Sequence, residues 1–163
     1  MPLSPEITLL LQTIDQAFNL KAWHGPNLRG ALRGLTAAEA GWRAPGGGHT
    51  IAELAVHAAY WKYAVRRKLQ GEAAPRGGFP RKGSNWFRLP DPLPPEEWKA
   101  ILALLDEQHR QLRDAVAAIP PAALSQKPPG TKYTRAFLAE GIALHDVYHA
   151  GQVRQLKAWQ ARR

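Results

Sequence analysis

The apolar residues of this chain recur at intervals of three and four over four long stretches, the spacing of helices that bury one face. These stretches run over residues 4–23, 50–71, 95–119 and 134–159. Ser4 ahead of Pro5, and a capping box from Thr50 to Glu53, mark two of the helix starts. No stretch has the alternating pattern that is typical of a strand. Four such helices in 163 residues predict an all-α protein, a four-helix bundle that forms one domain over residues 1–163.

A segment rich in glycine and proline joins the second and third of these helices. It covers residues 71–95, which is longer than a usual helix–helix connection, and so predicts a long crossover, a lid or a disordered segment. Three aromatic side chains within it indicate that part of the segment packs on the bundle: Phe79, Trp86 and Phe87. The segment also carries several cations, namely Arg76, Arg81, Lys82 and Arg88.

The composition excludes several classes of protein. The chain contains no cysteine, which excludes disulfides, thiolate nucleophiles and cysteine-ligated zinc or iron–sulfur sites. No apolar run approaches the roughly 20 residues of a membrane span, so we expect no membrane partner. Residues 1–6 lack the basic region of a secretory signal. Together these features favour a cytoplasmic protein.

The net charge of +9 suggests an alternative, a basic nucleic-acid-associated stress protein. The run of Trp86, Phe87 and Arg88 supports it, because aromatic and basic side chains bind bases and phosphates. The cations are otherwise scattered, and no recognised nucleic-acid motif accompanies them. We therefore consider nucleic acid the weaker interpretation.

Two of the six histidines have the spacing of a metal site. His145 and His149 are four residues apart, so on a helix they point roughly 40° from each other, one turn apart. They share the inner stripe of the fourth long helix with apolar residues, which are Leu138, Ile142, Leu156 and Trp159. Two buried imidazoles need a partner, and a metal ion supplies one. His57, at the edge of the buried stripe of the second long helix, is the third candidate ligand, and a bundle can bring it to the other two.

Such a site would present three neutral nitrogens and leave other coordination positions open, as catalytic metal sites do. Imidazole suits zinc, nickel, copper and iron, so the residues alone predict a divalent ion without selecting one. The other histidines fit simpler interpretations. His109 lies on an apolar stripe and is predicted to be a core residue. His24 and His49 lie at helix boundaries and are predicted to be solvated or capping groups.

Several residues near the candidate ligands are expected to support or line the site. Glu53, one turn before His57, either orients that imidazole or only completes its capping box. Gln152, one turn after His149, is expected to face the open side of the metal. Aromatic side chains either wall the pocket or belong to the core, and these are Tyr60, Trp61 and Tyr148. Asp146 follows His145 but is rotated by roughly 100°, which indicates a carboxylate behind the ligands or at the surface.

Two stretches of this chain resemble the DinB-like, YfiT-related family of metalloproteins. They are GHTIAELAVHAAYW at 48–61 and HDVYHAGQV at 145–153, and WHGPNL at 23–28 is similar to a subfamily feature. The resemblance implies a four-helix bundle with a long crossover between the second and third helices, often as a homodimer. It places the metal triad on His57, His145 and His149. It also implies a divalent ion, with zinc and nickel as the first candidates and iron as another.

The resemblance further implies several functions. Some members of the family transfer low-molecular-weight thiols, some isomerise maleylpyruvate, and many have no known activity. Our leading hypothesis is a metal-dependent thiol S-transferase or hydrolase acting on a small molecule. An anionic thiol would then meet the cations of the 71–95 segment. The alternative is a metal-carrying interaction protein without catalysis.

Overall fold

The computed structural model describes residues 3–71 and 78–162, and within these ranges it contains helices and no strand. The helices are α1 (Pro5–Phe18), α2 (Leu28–Ala31), α3 (Ala37–Gly41), α4 (Ile51–Gln70), α5 (Pro95–Ala117) and α6 (Arg135–Gln160). A short 3-10 turn, Pro121–Ala123, lies between α5 and α6. The prediction of an all-α fold is confirmed. No helix in the described ranges combines the length and the apolar character needed to cross a lipid bilayer.

Local sequence signals begin most of these helices. The hydroxyl of Ser4 accepts a hydrogen bond from the backbone N–H of Ile7, and Thr134 caps α6 in the same way. At α4 the capping box is complete, because Thr50 and Glu53 bond to each other's backbone N–H groups. These bonds satisfy N–H groups that the first turn of a helix leaves without partners.

The first long helix ends earlier than its apolar pattern predicts. α1 stops at Phe18, since Asn19 leaves the helical conformation (φ −144°, ψ −12°) and bonds back to the carbonyl of Asp15. Trp23, the predicted end, is fully exposed. The short α2, which the pattern does not predict, begins where the side chain of Asn27 accepts from the N–H of Gly30.

The four long helices pack around a shared core. α4 lies between α5 and α6, and α1 packs against the same two helices, so α1 and α4 are diagonal neighbours. One part of the core joins the first half of α4 to α2, α3 and the connection that precedes α5. A second part joins α1 to the last turns of α4 and α5 and to the first turns of α6. This arrangement brings the first half of α4 against the middle turns of α6, where the histidines lie.

The described part of the α4–α5 connection, residues 78–94, packs on α4, as its aromatic residues predicted. Phe87 is buried, and Tyr60 of α4 meets both Phe79 and Phe87 at ring-centroid distances of 5.4 and 5.8 Å. Arg81 pairs with Glu97 of α5 at 2.7 Å. Arg76, one of the cations expected to meet an anionic substrate, lies outside the described residues.

The inner face predicted for α6 is wrong at its last turn. Leu138, Ile142 and Leu156 are buried as expected, but Trp159 is 46% exposed. It lies beside the 44–45 loop and Trp42, in a surface depression, because this end of α6 extends past the main core. The final turn of α6 therefore lines this depression at the surface instead of packing in the core.

Candidate metal centre

Three histidines from two helices meet at one point. His57 comes from α4, and His145 and His149 come from consecutive turns of α6. One ring nitrogen from each lies within 4.8 Å of the others, and they form the one such group found among the described residues. His57 and His149 are buried, and His145 is half-buried.

The spacing of the two α6 nitrogens fits one shared cation. The Nε2 atoms of His145 and His149 are 3.0 Å apart. Nitrogens bound to one tetrahedral zinc at about 2.0–2.1 Å would lie about 3.3–3.4 Å apart. A shift of a few tenths of an ångström therefore places both rings around one ion, because the helix has already put them on the same face.

Oxygen atoms fix the tautomers of two of the rings. The Nδ1–H of His57 donates to the backbone carbonyl of Asn85 at 2.8 Å, and that of His149 donates to Oε1 of Gln152 at 2.6 Å. A proton on Nδ1 leaves Nε2 with a lone pair, which is the state that ligates a metal. The donor set therefore fits a borderline divalent cation such as zinc or nickel.

The third ring is held by burial rather than by a hydrogen bond to oxygen. The Nδ1 of His145 is buried and has no hydrogen-bond partner among the described residues. Trp61 lies edge-on to both His145 and His57, with centroids 6.4 and 6.2 Å away. Packing against Trp61 thus restricts the rotation of the His145 ring.

Burial keeps all three imidazoles neutral. Loss of water lowers the pKa of His145 to about 3, with His149, His57 and Lys62 adding repulsion. Burial likewise lowers the pKa of His149 to about 4, although the hydrogen bond that His149 donates to Gln152 acts in the opposite direction. The pKa of His57 is also lowered, again mainly by burial. Protons therefore compete weakly for these nitrogens at neutral pH, which favours metal binding.

The indole of Trp86, from the α4–α5 connection, packs between two imidazoles beside the site. Trp86 stacks on His57 with centroids 3.7 Å apart and planes 9° from parallel. Its other face stacks on His49 at 3.5 Å and 1°. His49 is thus exposed at its edge but partnered on one face. Together with the Asn85 carbonyl, Trp86 holds the connection against His57.

The supporting residues take roles that differ in part from those expected. Glu53 completes the capping box and pairs with Arg43 at 2.6 Å. It makes no hydrogen bond to His57 among the described residues, so the capping interpretation is the observed one. Gln152 hydrogen-bonds the back of His149 instead of facing the side of the ring that carries Nε2. The ring of Tyr148 lies 5.2 Å from His149 and remains 64% exposed.

Asp146 is neither at the surface nor beside the ligand nitrogens. It is completely buried and pairs with Lys62 of α4, which is completely buried as well. The ammonium of Lys62 also lies 4.8 Å from the centre of the Phe18 ring. The sequence signal for this pair was a lysine at position 62 among the apolar residues of the buried α4 stripe. The role of Asn85 carries no such signal, since any residue supplies a carbonyl.

The remaining histidines lie outside the centre. His109 is a core residue, as its position predicted: it stacks on Phe18 with centroids 3.8 Å apart, and its Nε2 lies 3.4 Å from Asp15. Burial, with repulsion from Lys62 and Arg113, lowers the pKa of His109 to about 3. His24 is exposed.

Comparison with known proteins identifies a family. A model of the DinB superfamily matches residues 22–153, a range that includes all three histidines of the centre. No curated protein and no solved structure shows a significant match. The match covers most of the chain, and the all-helical fold agrees with it. This chain belongs to the DinB superfamily.

Proposed function

We propose that this protein binds one divalent metal ion through His57, His145 and His149 and uses it to activate a small molecule. The observation that carries the proposal is the convergence of three neutral imidazoles, two of them with Nδ1 held by an oxygen. Three protein ligands leave coordination positions open, which is the arrangement of catalytic rather than structural sites. Zinc and nickel are the first candidates and iron is another, since three imidazoles suit each of them.

The proposed chemistry is thiol S-transfer or hydrolysis. The bound ion would act as a Lewis acid, lowering the pKa of a bound water or thiol towards about 7. The chain's own contribution is to hold three rings, to fix two tautomers through Asn85 and Gln152, and to shield the site with Trp61 and Trp86. Glu53 and Asp146, the acidic residues adjacent to the ligands in the sequence, are engaged elsewhere, Glu53 with Arg43 and Asp146 with Lys62. The proposal therefore assigns no carboxylate base.

Metal analysis of matched variants tests the binding. Purified protein reloaded with Zn²⁺ or Ni²⁺ and then desalted should hold about one equivalent of metal. His57→Ala and His149→Ala should each lose most of it, whereas His24→Ala, which removes an exposed imidazole outside the group, should not. Equal metal content in all four proteins would reject the site.

Turnover assays then separate an enzyme from a metal carrier. The loaded protein is offered a panel of low-molecular-weight thiols with electrophilic acceptors, and a panel of esters and amides. Turnover that disappears in His149→Ala supports the transferase or hydrolase. Stoichiometric metal without turnover on any substrate supports the alternative, a metal-carrying interaction protein.

A homodimer stays a proposal. It is implied by the family resemblance alone, and sedimentation of the purified protein tests it.

Nucleic-acid binding, the alternative suggested by the net charge, is disfavoured by the aromatic residues that supported it. Trp86 is stacked between two imidazoles and Phe87 is buried. A gel shift at low salt, where phosphate contacts are strongest, should show no binding.

A further inference from the structure

A groove runs along the last turns of α6, next to residues that support the candidate metal ligands. Its volume is about 380 Å³, and its other wall is the loop that precedes α4. The floor and sides are mainly apolar, formed by Leu54, Leu156 and Trp159, with Gln155 as a polar group. A pocket of this size and character is typical of sites for small organic molecules.

The loop wall presents backbone to the groove. Gly47 and Gly48 line it, with φ of +95° and +93°, values that side-chain-bearing residues rarely adopt. A Cβ built on either would meet nothing within 4 Å, so backbone conformation rather than crowding requires glycine here. The absence of side chains lets a ligand approach the peptide groups closely.

The near end of the groove touches two residues that support the metal ligands. Gln152 lines it and also accepts the hydrogen bond from His149, and His49 lines it and stacks on Trp86, which in turn stacks on His57. A molecule in the groove would therefore lie one side chain away from two of the three imidazoles.

The far end favours an anion. A second depression adjoins the groove and shares Ala44 and Trp159 with it, and that depression is lined by Trp42 and Arg162 as well. The residues lining the two parts include a guanidinium and no carboxylate. No hydrogen bond or ion pair joins the Arg162 side chain to the rest of the described chain. A free cation beside two indoles suits an anionic group attached to an aromatic or apolar body.

From these features we infer that the groove binds a small-molecule ligand, an aromatic or apolar body with one anionic group near Arg162. Gln152 contacts the His149 ring on the side away from Nε2, and His49 lies behind Trp86, so the groove is separated from the nitrogens that would hold the metal. This inference goes beyond the proposed function. It adds a ligand class and the residues that select it, Trp159 for the apolar body and Arg162 for the charge.

Two fluorescent probes of one shape test it. 8-Anilinonaphthalene-1-sulfonate has an aromatic body and an anion, and N-phenyl-1-naphthylamine has the same body without the sulfonate. Trp159→Ala should weaken binding of both probes by about tenfold, the cost of losing one aromatic contact. Trp23→Ala removes an indole that is fully exposed elsewhere, and it should change neither affinity. Arg162→Gln should weaken only the sulfonate, by about threefold.

The outcomes keep this inference apart from the metal proposal. Metal content of Trp159→Ala should equal that of the wild type, and its circular dichroism should confirm that it is folded. Failure of both probes to bind, or equal effects of Trp159→Ala and Trp23→Ala, would overturn the groove while leaving the metal site intact. Equal effects of Arg162→Gln on the two probes would overturn the anion preference. Probe binding by a protein that takes up no metal would contradict the proposed metal-dependent function and would leave the groove as a ligand site.

Discussion

At the scale of single residues, the nitrogen that is free to bind metal is decided, on two of the three imidazoles, by the group behind the ring. Gln152 holds Nδ1 of His149, and the carbonyl of Asn85 holds Nδ1 of His57. Such contacts fix both the proton and the orientation of a ligating ring, and they increase the basicity of the opposite nitrogen. The amide of Gln152 is thus a positioning group.

Gln152→Leu should therefore weaken metal binding by about 10–100-fold, because it removes the acceptor that fixes the His149 tautomer. Gln152→Glu keeps an acceptor oxygen and should restore most of the affinity. Gln155→Leu, the same change in an exposed residue of the same helix, serves as the control. Competition titration with a chromophoric chelator measures all four proteins, and equal affinities for the two leucine variants would contradict the role of Gln152.

At the scale of elements, α4 is tied to its neighbours by polar contacts as well as by apolar packing. The Trp86 stack and the Asn85 carbonyl fasten the α4–α5 connection to the first half of α4. The buried pair of Lys62 and Asp146 joins α4 to α6. Both ties lie close to the histidines, so they set the position of His57 relative to α6.

Trp86→Ala should lower metal affinity by about tenfold, because His57 loses its stacked neighbour and the adjacent carbonyl is released. Trp86→Phe keeps an aromatic face and should retain most of the affinity. The same chelator competition measures the change. An unchanged affinity in Trp86→Ala would show that the connection does not position His57.

The buried ion pair makes a prediction about stability. Lys62→Met alone should lower the free energy of unfolding by about 3–5 kcal/mol, since it leaves the Asp146 carboxylate buried without its cation. Lys62→Met combined with Asp146→Leu removes both charges and should recover most of that loss. Urea denaturation of the wild type and of the single and double variants gives the comparison. A double variant that is no more stable than the single one would argue against this electrostatic account.

At the scale of the whole molecule, several histidines are kept neutral by burial, and this makes stability depend on pH. The pKa of His109 and of His145 falls to about 3, and that of His149 to about 4, whereas an exposed histidine titrates near 6.5. Between these values the unfolded chain binds protons that the folded protein does not. Metal-free protein should therefore be fully stabilised above about pH 6.5 and lose stability as the pH falls towards 3.

His109→Gln isolates one of these contributions without touching the metal centre. The slope of unfolding free energy against pH between about pH 4 and 6 should fall by about 1.4 kcal/mol per pH unit relative to the wild type. Any loss of packing lowers the stability at all pH values, so the slope is the readout. Denaturation of chelator-treated protein at several pH values measures it, and parallel curves would show that His109 is not held neutral.

Much of the fold could be predicted because its signals are local. Ser4, Thr50 and Thr134 each begin a helix through hydrogen bonds within four residues, and apolar spacing identifies the buried faces. The ends were less certain, as Trp23 and Trp159 illustrate: helix period alone does not say where the core stops. Both residues continue an apolar pattern beyond the region that other elements cover.

The sequence by itself determined that His145 and His149 share one helix face, because that depends only on the helical repeat. Only the tertiary structure decided that His57 joins them, that the carbonyl of a residue 28 positions away holds its ring, and that Lys62 pairs with a residue 84 positions away. These contacts depend on how two helices pack and on the path of residues 78–94, which form no helix or strand. No periodic pattern encodes either, since both arise from the fit of side chains across the whole bundle.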